Sequence, residues 1–262
     1  MGSVLVIGGG AAGLAAAIAA AECGDTVTVA EKMDRVGKKI LATGNGRCNL
    51  MNTGAPRYPG NAAFAADVLS HCGAEAQKAF WEHLGLRLRQ EEAGRMYPVS
   101  SQASSVLDAL RLQLTALHVR VVTGVSITAL NRESDGWTAL SADGQRFRAN
   151  RVIISGGGCA QPKLGSDGSA LRLLTNLGCP ATPFAPALTQ IITDSTSIKG
   201  LNGIRVKAQV AVIDRKSVLH EEDGELLFAD YGVSGVCVMQ CARYAKDCLL
   251  YTSPSPRDTE RS

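Results

Sequence analysis

Apolar and polar positions in the first thirty residues form a recognisable punctuation. Residues 3–7 are a short run rich in β-branched side chains, three glycines follow (Gly8, Gly9, Gly10), and residues 11–23 are dominated by alanine before Gly24 and Asp25 break the pattern. Residues 26–30 then alternate toward Glu31. Strand, tight turn, helix and strand make a βαβ unit. Residues 36–60 are rich in glycine and asparagine and read as a long loop, a kind of segment that usually carries function. Two helices are expected at 61–72 and 74–84, the second closed by Gly85. Residues 103–117 give the clearest amphipathic helix, with Val106, Leu110, Leu114 and Leu117 on one face and Ser100 or Ser101 as its cap.

Beyond that helix the period changes to two. Residues 119–122, 126–130, 137–141 and 146–149 read as short strands with turns at Gly124, Ser134-Asp135-Gly136 and Asp143-Gly144, together a small antiparallel meander. Residues 151–154 form a buried strand that ends in Ser155-Gly156-Gly157-Gly158. From Thr189 the chain turns toward β structure: residues 206–213 alternate, Glu221-Glu222-Asp223-Gly224 reads as a charged turn, and Leu226-Leu227-Phe228 follows. A first domain over 1–188 and the beginning of a β-rich one over 189–247 are expected. Residues 248–262 share no periodicity with what precedes them and resemble the translation of a sequencing-library adaptor, so a non-native tail is expected there.

Composition narrows the function classes. The 262 residues are 45% hydrophobic and 19% charged, the balance of a globular chain. The formal net charge of +3 is small and scattered, so neither nucleic acid nor a membrane is expected as partner. Eight cysteines occur without a CxxC spacing or a secretory leader, which points to free thiols in a reducing cytoplasm. Residues 4–21 carry no charge, yet the glycine triplet and the alanines argue against a membrane span.

Gly8-Gly9-Gly10-Ala11-Ala12-Gly13 fits GxGxxG. In a chain with 28 glycines the spacing alone arises by chance about one time in three, so the weight falls on its position between strand and helix and on Glu31 at the end of the next strand. There Gly8 makes the turn, Gly10 admits a pyrophosphate to the backbone, Gly13 permits close packing, and Glu31 accepts hydrogen bonds from a ribose diol. A 2′-phosphate would be repelled by Glu31. The fingerprint leaves NAD and FAD open. Gly156 and Gly157 suit a second close approach of backbone to the cofactor. Cys48 beside Arg47 allows two readings, a thiolate favoured by the neighbouring charge or a small packed residue, and the lack of a second cysteine nearby in sequence favours packing. Cys237 and Cys241, four apart on an expected helix, read as core residues.

The segment from Gly37 to Asn49 (GKKILATGNGRCN) resembles the hallmark of the BaiN/YhiN-like flavoproteins, the aminoacetone oxidase or HI0933-like family of NAD(P)/FAD-dependent oxidoreductases. Three stretches agree with it: YPVSSQASSV from Tyr97, GG…PKLGSDG from Gly157 to Gly168, and GELLFADYGVSG from Gly224. Met51, Ser155-Gly156 and Cys179 depart from the family pattern. The resemblance implies an α/β fold with a Rossmann-like FAD-binding domain of the glutathione-reductase type, its β-meander, and the start of an inserted β-rich substrate domain. It implies FAD as cofactor with Gly8, Gly10, Ala12 and Gly13 at the pyrophosphate and Glu31 at the ribose. Lys39, Gly46, Arg47, Cys48 and Asn49 would lie along the ribityl and ring side, and Ile127 near the adenine. NAD(P)H is the implied electron donor, and a small organic molecule, such as a steroid-like enone reduced at a carbon–carbon double bond, the implied substrate. A family member would return to the Rossmann domain after the inserted domain, so a truncated, inactive fragment is expected. A flavin-dependent RNA-modifying protein and a non-catalytic nucleotide-binding module are the alternatives.

Overall fold

In the computed structural model the β-branched run Ser3–Ile7 becomes strand β1 and the alanine stretch helix α1 (Ala11–Glu22), which leads to β2 (Thr26–Ala30). The described residues are 1–54, 58, 60–185, 187–194, 196–215 and 217–252, with backbone only for 246–252. They divide into two compact units, 1–182 and 183–262, where the sequence pattern placed the change between 188 and 189.

The first unit continues with α2 (Lys38–Ala42), β3 (Met51–Asn52), α3 (Ala62–His71), α4 (Ala74–His83), β4 (Leu88–Gln90), β5 (Arg95–Pro98), α5 (Ala103–Ala116) and β6 (Arg120–Val122). The meander β7 (Ile127–Glu133), β8 (Gly136–Ser141) and β9 (Arg146–Ala149) follows, then β10 (Arg151–Ile154) and α6 (Ser169–Asn176). Strands β10, β1, β2 and β6 form a parallel sheet in that order, so the strand expected at 119–122 pairs with β2 in this sheet rather than joining the meander. Because strand side chains alternate, Val4, Val6, Val27 and Val29 pack with α1 and α5 on one face, while Leu5, Ile7 and Ala30 pack with the meander and Leu173 of α6 on the other. Both faces are covered, as a parallel sheet requires. Helix α5 presents Val106, Leu110 and Leu114 to this core, all buried.

Several local expectations change. The loop over 36–60 contains α2 and β3; within it residues 55–57 and 59 lie outside the described set. Neither Ser100 nor Ser101 caps α5, since Gln102 holds the N-cap position without a side-chain bond. Strand β10 is half-buried rather than fully buried.

In the second unit β11 (Ile191–Ile192), β12 (Arg205–Asp214), β13 (Ser217–Ala229) and β14 (Gly232–Ser234) form an antiparallel sheet in the order β11-β14-β13-β12, followed by α7 (Val236–Thr252). The expected turn at 221–224 is instead continuous strand: Glu221 pairs with Ala211 and Asp223 with Gln209. Glu221, Asp223 and Glu225 are exposed on the open face of a ribbon whose other face meets α7, and Arg205 pairs with Glu225. Cys237 and Cys241 are buried, as core residues should be. Helix α7 runs past residue 247, and residues 253–262 of the expected tail lie outside the described set. No helix among the described residues is long and apolar enough to cross a membrane.

Candidate functional site

At the carboxyl end of the parallel sheet, β1 has β2 on one side and β10 on the other, the point where chain direction around the sheet reverses and where such folds bind ligands. A cavity of about 300 Å³ opens there. The ends of β1, β2 and β10, the N-terminus of α1, the Gly37–Lys39 turn and the meander edge at Val125–Ile127 line it.

The turn after β1 is forced by sterics. Gly8 has φ +107, and a Cβ there would stand 2.8 Å from Gly156 Cα, so the ends of β1 and β10 approach closely because Gly8 has no side chain, while a Cβ at Gly156 would lie 2.7 Å from the Ala170 Cβ of α6. Gly13, the first buried residue of α1, would put a Cβ 1.9 Å from the Gly8 carbonyl oxygen. Gly10 differs: a Cβ there would meet nothing within 4 Å, so its missing side chain leaves room in the cavity. The first backbone bond of α1 runs from Leu14 N–H to Gly10, leaving the N–H groups before it without intrahelical partners and the positive end of the helix dipole at the cavity. These features suit a diphosphate.

Glu31 is buried at 8% exposure. One carboxylate oxygen accepts from Gly9 N–H at 2.6 Å and the other from Met33 N–H at 2.8 Å. Each oxygen keeps acceptor capacity, so two ribose hydroxyls can still donate to it. Lys32, Arg35, Lys38 and Lys39 also line the cavity. Lys38 pairs with Asp34, Lys32 with Asp167 at 2.6 Å, and Lys39 donates to the buried Ser166 hydroxyl. With Glu31 as the acidic lining residue among these bases, the surround is electropositive, with a carboxylate placed where a sugar rather than a phosphate would sit. The residues present therefore fit an adenosine diphosphate moiety.

Of the residues singled out in the sequence, Gly8, Gly10, Ala12, Glu31, Lys39, Ile127, Gly156 and Gly157 come together around this cavity. Gly13 lies behind it. Gly46, Arg47, Cys48 and Asn49 do not line it. Gly46 and Asn49 are exposed, Arg47 reaches Glu91 and lies 4.2 Å over the Tyr97 ring, and Cys48 is buried in the helix-side core. Burial pushes the Cys48 thiol up, only partly opposed by a hydrogen bond with Thr43. Arg47, spent on Glu91, does not stabilise a thiolate. The cavity also gathers Lys32, Met33, Ser126, Leu164 and Ser166. Lys32 follows Glu31 directly and Ser166 sits in PKLGSDG, the two signals that could have marked them.

The profile of the HI0933-like protein Rossmann domain matches residues 2–239. A 3-dehydro-bile acid delta(4,6)-reductase of Clostridium scindens is 42% identical over 249 residues, 93% of this chain and 60% of that protein. Ribosomal RNA dihydrouridine synthases of Haemophilus influenzae and Escherichia coli are 24% and 25% identical, each over 92% of this chain and over 61% and 60% of their own lengths. The chain thus spans about 60% of the length of the curated relatives it matches. With its parallel sheet, its glycine turn and a profile match over nearly its whole length, the chain belongs to the HI0933-like Rossmann-domain family.

Proposed function

We propose that the cavity holds the adenosine diphosphate half of FAD and that the chain is the cofactor-binding part of a flavin-dependent oxidoreductase. The observation that carries this reading is the pairing of Glu31 with the unobstructed Gly10 turn on two sides of one electropositive cavity. Bound there, the flavin supplies hydride transfer. The chain's own residues supply placement. Glu31 accepts the ribose hydroxyls, the first-turn amides of α1 and the Lys39 ammonium offset the diphosphate charge, and Val125 and Ile127 flank the adenine side. Glu31 disfavours a 2′-phosphate here, and with FAD held in this cavity a nicotinamide donor would approach the flavin from another site. The 42% identity to a bile-acid reductase supports a small steroid-like enone, reduced at a carbon–carbon double bond; the free cysteines among the described residues support a reducing, cytoplasmic setting. The dihydrouridine synthases, at 24% and 25% identity, support uridine in RNA as a second substrate reading, and turnover of an enone against a transcript separates the two.

The binding test is titration of the purified chain with FAD and with ADP. The expected results are an oxidised-flavin band near ~450 nm that follows the protein and competition by ADP. Glu31→Ala is expected to weaken ADP binding by about 1–3 kcal/mol, roughly a 5- to 150-fold rise in Kd. An unchanged Kd would remove Glu31 from the ribose site.

A further inference from the structure

The segment between β10 and α6 has no role in the reading so far beyond forming part of the wall. Residues 158–168 fold on themselves: Gln161 and Ser166 form an antiparallel bridge, Pro162–Leu164 make a single helical turn, and Gly168 N–H donates to the Gly158 carbonyl at 3.1 Å. Glycines in left-handed conformation flank this fold, Gly157 at φ +79 and Gly168 at φ +81. The segment is therefore an internally bonded unit between two positions able to absorb backbone rotation.

Several of its outer contacts reach across the cavity to residues that follow β2. Lys32 Nζ contacts Asp167 Oδ1 at 2.6 Å and Ser169 Oγ at 3.1 Å. Lys39 Nζ donates to Ser166 Oγ, with Ser166 only 2% exposed. Gly165 lies against Met33, since a Cβ there would come 3.2 Å from its Cγ. Leu164, Gly165 and Ser166 line the cavity. The segment thus leaves the sheet on one side of β1 and is fastened on the other.

We propose that residues 158–168 are a strap that opens and closes over the nucleotide, and that the Lys32–Asp167 ion pair is the latch that sets how fast ligand enters and leaves. This rests on the cofactor reading above. Lys32 and Asp167 are positioning residues: the latch acts on the strap, and only through the strap on the ligand. Asp167 is suited to the part because its carboxylate also accepts from Ser169 N–H at 3.0 Å, tying the strap to the first turn of α6. The Lys32 and Ser169 contacts hold its carboxyl well below the usual carboxylate range, so the latch stays charged throughout neutral pH.

The test has two arms on the full chain. In the first, no ligand is present: acylation of Lys39 by an amine reagent is read by peptide mass, with Lys38 as internal control. Asp167→Asn, which keeps the Ser169 cap acceptor, is expected to raise the Lys39-to-Lys38 ratio about tenfold as the strap lifts; an unchanged ratio overturns the latch. In the second arm, stopped-flow binding of ADP is expected to show association and dissociation both accelerated about tenfold in Asp167→Asn, with Kd moving less than about threefold. The exchanged pair Lys32→Asp/Asp167→Lys is expected to restore both rates. Faster dissociation with unchanged association would make these residues plain ligand contacts and overturn the strap. Absence of any ADP or FAD binding would overturn the cofactor reading, and the Lys39 ratio would still decide the latch.

Discussion

The chain carries two glycine-rich segments of similar appearance, residues 8–13 and 44–49, and they serve different ends. In the first, the missing side chains are demanded by neighbouring backbone or leave space in a cavity. In the second, a Cβ at Gly44 would lie 2.8 Å from the Asn49 backbone nitrogen of the same segment, whereas at Gly46, with φ +81, it would touch nothing within 4 Å; Asn45 and Cys48 share the left-handed backbone at φ 53 and φ 58, and the arginine of the segment turns to Glu91 and Tyr97. A glycine motif marks a ligand site when the absent Cβ opens toward a cavity; where glycine only lets the segment turn back on itself, it marks a turn.

Four substitutions or measurements would break or sharpen that contrast. The largest effect is expected at Gly13→Val, where the new Cβ would lie 1.9 Å from the Gly8 carbonyl oxygen; a loss above about 4 kcal/mol, in the exceptional class, should appear as an unfolded or aggregated product or a collapsed denaturant midpoint. Next comes Gly10→Ala. Its φ of −83 suits alanine, so the loss of stability should stay within about 1 kcal/mol, while ADP binding should weaken about tenfold or more as the methyl enters the diphosphate space. Gly46→Ala should do the reverse, costing about 1 kcal/mol of backbone strain with ADP affinity unchanged. Alkylation of thiols at mild alkaline pH should leave buried Cys48 intact while the exposed Cys159 and Cys179 react; prompt labelling of Cys48 would show the second segment to be open.

The smallest expected effect lies outside both segments. Glu22 accepts from His83 Nε2 at 2.8 Å and from Gln113 at 3.0 Å, tying α1 to α4 and α5. The His83 hydrogen bond lowers the Glu22 carboxyl below its ordinary value, outweighing the opposing effect of burial, and the Gln113 hydrogen bond adds a smaller lowering. A lowered carboxyl contributes stability that is full above its unfolded value, about 4.3, and fades as pH falls through the lowered one. His83→Ala should flatten that part of the stability profile, measured by denaturant midpoint at stepped pH.

Where the sequence spoke plainly, a strong local period coincided with burial on a known face. Residues 3–30 and 103–117 were legible because alternation and helical spacing reported the two covered faces of one sheet. The ribbon β12–β13 was misread because the acidic run at 221–223 looks like a turn, whereas an open sheet face tolerates charge in a strand. Strands β3, β4 and β5, at two to four residues each, are too short for a period to show. At the site, Gly8, Gly10 and Glu31 were legible because each has a stereochemical duty at fixed spacing. The strap contacts were not, since Lys32 and Asp167 stand 135 positions apart and only the fold brings them together.

Glu31 has a consequence for anyone wishing to redesign the nucleotide preference. Its two oxygens already fasten the Gly9 amide before the helix and the Met33 amide after β2. Exchanging it for arginine to welcome a 2′-phosphate would therefore also unstitch the frame on which the nucleotide rests. Selectivity and architecture are written in the same carboxylate, so a successful retargeting must first find new acceptors for those two amides.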